Sequence, residues 1–185
     1  MAIKWLNAVH HSIHNLIIKR KSKDKNQTRE FIGLEDAKNI AILYIARNQK
    51  SIDRAIALGN KLGENKKISL LGFIPKKTGE SLKSLYPELS FISKNDLSWY
   101  RVPKRLFSSR FIKGDYDILI NLYLKDSLPL QYISCLSKAK FRIGHYRPKN
   151  LYCNDFLIDL NGKDNIDEYV ELIYHFTSGK NGKNE

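Results

Sequence analysis

Beyond residue 38 the chain alternates short unbroken apolar runs with amphipathic stretches. Ile40-Ala41-Ile42-Leu43-Tyr44-Ile45-Ala46 is the clearest run and predicts a strand buried on both faces. Lys67 to Ile74, closed by Pro75, predicts a second strand, and Leu89 to Ile92 a short third. Asp117 to Tyr123, Phe141 to Gly144 and Phe156 to Leu160 predict the fourth, fifth and sixth. Between them lie helical patterns. Ser51 is expected to cap a helix whose apolar side is Ile52, Ala55, Ile56 and Leu58, with Gly63 ending it. Residues 79–86 predict a short helix or turn, and 105–112 a short helix inside an aromatic, basic loop. Leu128 to Ala139 predicts a helix that accepts Pro129 in its first turn. Asp164 or Asn165 is expected to cap a last helix, which Gly179 stops.

Strands alternating with helices predict an α/β fold: one Rossmann-like, mostly parallel sheet of five or six strands, order near 3-2-1-4-5, with helices on both faces. Residues 3–20 add an N-terminal amphipathic helix, with Ile3, Leu6, Val9, Ile13, Leu16 and Ile17 along one side and Ile18 on the polar side. The expected organisation is a basic helix and linker over 1–30, the α/β domain over 38–178 and a disordered tail over 179–185.

Charge changes this picture. The formal net charge of +13 is concentrated in three segments, residues 1–30, 99–114 and 138–149, each with a net of +5, so the rest of the chain is slightly acidic. The first carries Lys19, Arg20, Lys21, Lys23 and Lys25. The second carries Arg101, Lys104, Arg105, Arg110 and Lys113, interleaved with Trp99, Tyr100, Phe107 and Phe111. The third carries Lys138, Lys140, Arg142, Arg147 and Lys149. Aromatics for stacking and cations for phosphates are what a single-stranded nucleic acid requires. The same composition also fits a loop whose aromatics dock on a core while its cations face water.

In a doubly wound sheet, ligands bind beyond the carboxyl ends of the strands. The residues expected there are Arg47 and Asn48, Lys76 and Lys77, Ser93 to Asn95 with Lys94, then Lys125, Asp126 and Ser127, and finally His145, Tyr146 and Arg147. Nearly every loop brings a cation to that rim.

Other chemistry is not indicated. The first loop, Ala46 to Ser51, lacks the glycines of a dinucleotide site, and there is no P-loop, so no cofactor is expected. His10 and His14 are four apart on one helical edge but have no third ligand near them, so no metal is expected. Asp115, Asp117 and Asp126 flank the fourth strand, and one could act as a general base if burial raised its pKa. Asp115 is instead read as ending a turn and Asp126 as capping the next helix, and no catalytic residue is assigned. Cys135 and Cys153 have no metal or redox spacing and are expected as small buried residues, which with no spanning helix or signal peptide predicts a cytoplasmic protein.

Two resemblances add to this reading. Ile42 to Tyr44, Ile68 to Phe73, Ser93 to Tyr100, Asp117 to Leu122, Leu128 to Leu130 and Ser137 to Gly144 together resemble an uncharacterised Bacteroidota family of small Rossmann-like proteins. That resemblance implies the fold and no activity. Tyr116 to Asn121 with Ser137 to Gly144 looks like part of the acceptor-side domain of heptosyltransferase-like glycosyltransferases. Those enzymes use a second such domain for the nucleotide sugar, so the likeness implies the fold rather than the transfer.

The expected function is a non-catalytic basic protein that binds an anionic macromolecule, RNA or the ribosome first. Two alternatives are an enzyme or degenerate glycosyltransferase-like domain taking a phosphorylated or sugar ligand at the rim, and a peripheral protein on an anionic membrane.

Overall fold

The computed structural model describes residues 2–22, 29–76, 81–148 and 151–177, with side chains left aside for 2–8, 11, 21 and 22. Six strands form one all-parallel sheet: β1 (Asn39–Ile45), β2 (Lys67–Ile74), β3 (Ser90–Ser93), β4 (Ile118–Leu122), β5 (Phe141–His145) and β6 (Phe156–Ile158). Their order is β3-β2-β1-β4-β5-β6. All six apolar runs therefore become strands, and β1 lies at the centre, where its run needs cover on both faces. Ile42, for example, pairs with Leu70 of β2 and Ile120 of β4.

Six helices join them: α1 (Ala2–Ser22), α2 (Gln49–Leu62), α3 (Ser81–Leu85), α4 (Arg105–Lys113), α5 (Leu128–Leu136) and α6 (Ile166–Thr177). On one face of the sheet, Ile52, Ala55 and Leu58 of α2 and Tyr169 and Ile173 of α6 pack on Ile40, Ile42 and Ile120. On the other, Ile18 of α1, Phe111 of α4 and Leu130 and Ile133 of α5 pack on Ala41, Leu43 and Leu119. Cation-rich α1 and α4 thus lie on the same side of the sheet.

Two expected caps change, those of α2 and α5, while that of α6 is one of the two residues expected. α2 begins three residues earlier than expected, because Asn48 rather than Ser51 is the cap. Asn48 Oδ1 accepts from Ser51 N at 3.0 Å, and Ser51 Oγ accepts from Asn48 N in return, a reciprocal capping box. α5 starts from Ser127, not Asp126. α6 starts from Asn165, whose Oδ1 accepts from the N–H groups of Asp167 and Glu168. Gly63 closes α2 at φ 117°, a backbone region that side chains avoid. Gly179, expected to stop α6, lies outside the described residues.

α1 docks on α5 with its buried edge shifted from the centre of the expected stripe, of which Ile17 packs on the core and Val9 and Ile13 are half-buried. His10, His14 and Ile18, spaced four apart, are its buried edge, whereas Leu16 is 68 % exposed. His14 Nε2 stands 2.7 Å from the Leu128 carbonyl, where it donates, and its ring meets Tyr132 edge-on. Tyr152 donates to Asn15 Oδ1 at 2.8 Å on the neighbouring edge. A histidine can serve as a core residue when its N–H has a carbonyl to reach, which a count of apolar residues does not register.

The cysteines also differ from expectation. Cys135 of α5 and Cys153, in a single 3-10 turn at Leu151–Cys153, are buried as expected but bonded to one another as a disulfide. The pairing removes the cysteine argument for a reducing compartment. Among the described residues no helix is long and apolar enough to cross a membrane.

Candidate functional site

The three basic segments have different fates. The second stays on the surface almost whole. Leu97 and Pro103 bridge to one another, and Ser98 N bonds Val102 O, so residues 98–102 form a tight projecting loop. Arg101 occupies a left-handed conformation there, at φ 62°. The loop holds Trp99 out 71 % exposed, its ring against Tyr100 and His10. From α4, Leu106 is 83 % exposed and Phe107 is partly exposed, while Phe111 turns into the core and stacks on Tyr116. The aromatics thus divide: Trp99 and Phe107 are available and Phe111 is structural.

The cations of α4 divide as well. Lys104, Arg105 and Lys113 line a groove of about 640 Å³ between the projecting loop, α4 and α5, with Tyr100 and Tyr132 in its walls. Lys104 Nζ also donates to the Asn95 carbonyl at 3.1 Å. Arg110 instead lines a smaller cleft beside the starts of β2 and β3. On the same side of the sheet, Lys19 and Arg20 of α1 are exposed. Lys23 and Lys25, with the side chain of Lys21, lie outside the described residues.

Among the described residues of the third segment Lys138 and Lys140 are exposed, but Arg142, expected at the binding surface, is buried. It is only 6 % exposed. Its guanidinium holds Asp155 with both arms, Nε to Oδ2 at 2.9 Å and Nη2 to Oδ1 at 2.7 Å, and Nη1 donates to the Ser134 carbonyl at 3.3 Å. Burial with a full set of acceptors makes it an internal cross-link. Arg29 adds to the same cluster by donating to the carbonyls of Ala139 and Ser137. Lys140 is exposed but paired to Asp117 at 2.8 Å, at the amino-terminal edge of the sheet, far from the rim. Arg147 pairs with Asp126 at 2.9 Å on the rim itself, and Lys149 lies outside the described residues.

Asp117 is a staple at the amino-terminal edge of the sheet. Its Oδ2 accepts from the N–H groups of Lys38 and Asn39, and its Oδ1 from Lys140, which ties together the starts of β1, β4 and β5. Burial pushes its carboxyl up, but these hydrogen bonds outweigh it and hold the carboxyl below its usual range.

At the carboxyl ends of the strands lies a row of three small crevices. One, between β1 and β4, is lined by Arg47, Arg54 and Lys125. The next, between β1 and β2, has Arg47 and Lys76. The third, between β2, the loop after β3 and the first turn of α5, has Lys94, Arg101, Asp126 and Ser127. The rim residues therefore do meet at one edge, and among the described residues Arg47, Lys76, Lys94 and Lys125 have no ion-pair partner. Lys77 lies outside the described residues. His145 sits beside this rim, half-buried, its Nδ1 3.4 Å from Arg147 Nε. Burial, helped by the Arg147 charge, lowers its pKa.

Among the described residues no cluster of three metal-ligating side chains occurs. The groove liners Ser98, Ser109, Tyr132 and Leu136 carried no signal in the sequence, since each becomes a wall only once α5 lies beside α4.

A family model described as a family of unknown function, DUF6913, matches residues 8–177. Neither a curated protein nor a solved structure matches the chain.

Proposed function

We propose that the chain, which belongs to the DUF6913 family of unknown function, is a non-catalytic binding protein for RNA, engaged through the face that carries α1, α4 and the loop before α4. The observation that carries this reading is the sharing of a face. Lys19 and Arg20 of α1 and Lys104, Arg105 and Lys113 at α4 are carried by helices on one side of the sheet, and both helices pack on α5.

Exposed Trp99 and Phe107 beside Lys104, Arg105 and Lys113 supply stacking surfaces next to phosphate contacts. A single-stranded segment, or such a segment within a ribosome, suits that pairing better than a duplex. Base identity would be read weakly, because stacking and charge tolerate every base. A membrane role suits the face less well. α1 spends its buried edge on α5, and among its described side chains only Leu16 is a large exposed apolar one.

On motifs alone, we read the family as one of Bacteroidota, and residues 116–144 as sharing ancestry with the acceptor-side domain of heptosyltransferase-like enzymes. An RNA partner places the protein in the cytoplasm. The Cys135–Cys153 bond is the observation that pulls against that compartment, since disulfides are rare there.

Fluorescence anisotropy with a labelled single-stranded RNA at low salt tests the proposal. Binding is expected, and replacing Lys104, Arg105 and Lys113 together by glutamine is expected to abolish most of it. Equal binding by that variant contradicts the proposal.

A further inference from the structure

We infer that the crevice between β2, the loop after β3 and the first turn of α5 is a binding site for a phosphate monoester carried on an organic body. The site is separate from the α4 groove. It encloses about 490 Å³, the size range of small-ligand pockets.

Three independent features converge on it. First, α5 has nine residues and opens directly on the crevice, with Leu128 and Pro129 in the wall. The N–H groups of a helix's first turn have no acceptor within the helix and attract an anion. Second, Lys94 and Arg101 stand across from that turn, and Arg47 and Lys76 follow in the adjoining crevice, which shares Pro75 as a wall.

Third, Ser127 lines the crevice 5 % exposed, and its Oγ has no hydrogen-bond partner. A serine at this cap position ordinarily accepts from an N–H one turn on, but Ser127 makes no such bond. A buried hydroxyl left unsatisfied costs stability, so such groups are few and each calls for an explanation. Turned about its Cα–Cβ bond toward the crevice that Ser127 lines, the now shielded Oγ would find the missing acceptor in a phosphate oxygen.

The chemistry of the ligand follows. A monoester carries nearly two charges at neutral pH and three acceptor oxygens, enough for two cations, the α5 turn and the Ser127 hydroxyl. The Asp126 carboxylate beside it is held by Arg147 at 2.9 Å, so its charge is already matched. Phe73, Pro75 and Leu97 give the rest of the crevice an apolar lining that a phosphate alone would not fill. A sugar or nucleoside attached to the phosphate would.

Thermal shift and 31P NMR titration of the full chain test this, with inorganic phosphate, glucose 6-phosphate, adenosine 5′-monophosphate, glucose and adenosine as probes. At least one ester is expected to raise Tm and broaden its 31P line, with the unphosphorylated compounds inert and inorganic phosphate weaker. Which ester acts distinguishes a sugar from a nucleoside source. Ser127→Ala is expected to weaken the ester about tenfold, as the loss of one charge-assisted bond, while leaving the unliganded Tm unchanged or higher.

The inference is overturned if neither ester binds, if S127A binds as tightly as the parent, or if S127A alone lowers the unliganded Tm. The variant lacking Lys104, Arg105 and Lys113 is expected to keep ester binding. Loss there would move the ester to the α4 groove and overturn the assignment, whatever the outcome with RNA.

Discussion

Arg142 and Asp155 face one another in a two-armed ion pair, 2.7 and 2.9 Å across, at the junction of β5 with the turn that carries Cys153. The pair fixes the return of the chain from β5 to β6. It also shows how a basic residue can be withdrawn from a basic surface. Arg142→Ala leaves the Asp155 carboxylate short of its main partner in a largely dry setting. The expected loss is about 3 kcal/mol, against under about 0.5 kcal/mol for an ordinary surface cation. Urea denaturation measures it, and RNA affinity is expected to stay unchanged in whatever fraction folds.

The disulfide closes a loop between residues 18 apart. Cross-linking a loop of this size is expected to contribute about 3 kcal/mol by restricting the unfolded chain. Denaturation midpoints with and without a strong reductant should differ accordingly. A thiol-reactive probe under denaturing, non-reducing conditions should label neither cysteine.

His14 holds α1 to the rest of the chain through the Leu128 carbonyl. His14→Ala removes that bond and opens a cavity against Tyr132, an expected cost of about 2 kcal/mol. Hydrogen exchange would localise the effect. The amides of α1 are expected to lose protection while β1 and β4 keep theirs.

Asp117 gives the protein a defined acid sensitivity. Its carboxyl is held below the ordinary carboxylate range in the folded state, so near pH 4 the unfolded chain binds the proton first. The stability it contributes is therefore complete above about pH 5 and is lost as the pH falls through the folded-state value. Asp117→Asn is expected to be less stable at pH 7 and to show a flatter decline in acid. Urea midpoints between about pH 7 and 3 give both quantities.

How far the sequence revealed this molecule depends on whether a feature is periodic. Runs such as Ile40 to Ala46 announce strands because full burial demands uninterrupted apolar residues, and all six strands follow from such runs. The edge of α1 that is buried deepest was not legible, because His10 and His14 count as polar until a carbonyl such as Leu128 is placed beside them. Arg142 carried one available signal, a charge set within Phe141, Ile143 and Gly144 of a short buried strand. The Cys135–Cys153 pairing carried none, since it depends on the turn at 151–153 lying against α5. The rim was legible in outline from the fold rule alone. Its division into separate crevices needed the loop at 98–102, whose shape comes from the Ser98 and Val102 bonds.

The proposal that α1, α4 and the loop before α4 form one RNA-binding face is tested most directly by the salt dependence of RNA affinity. For the parent protein, log K for a single-stranded RNA is expected to fall linearly with log salt concentration. Replacing Lys104, Arg105 and Lys113 by glutamine should make that slope shallower by about 2, roughly 0.7 for each phosphate no longer neutralised. An unchanged slope with unchanged affinity, or no RNA binding by the parent protein at low salt, contradicts it.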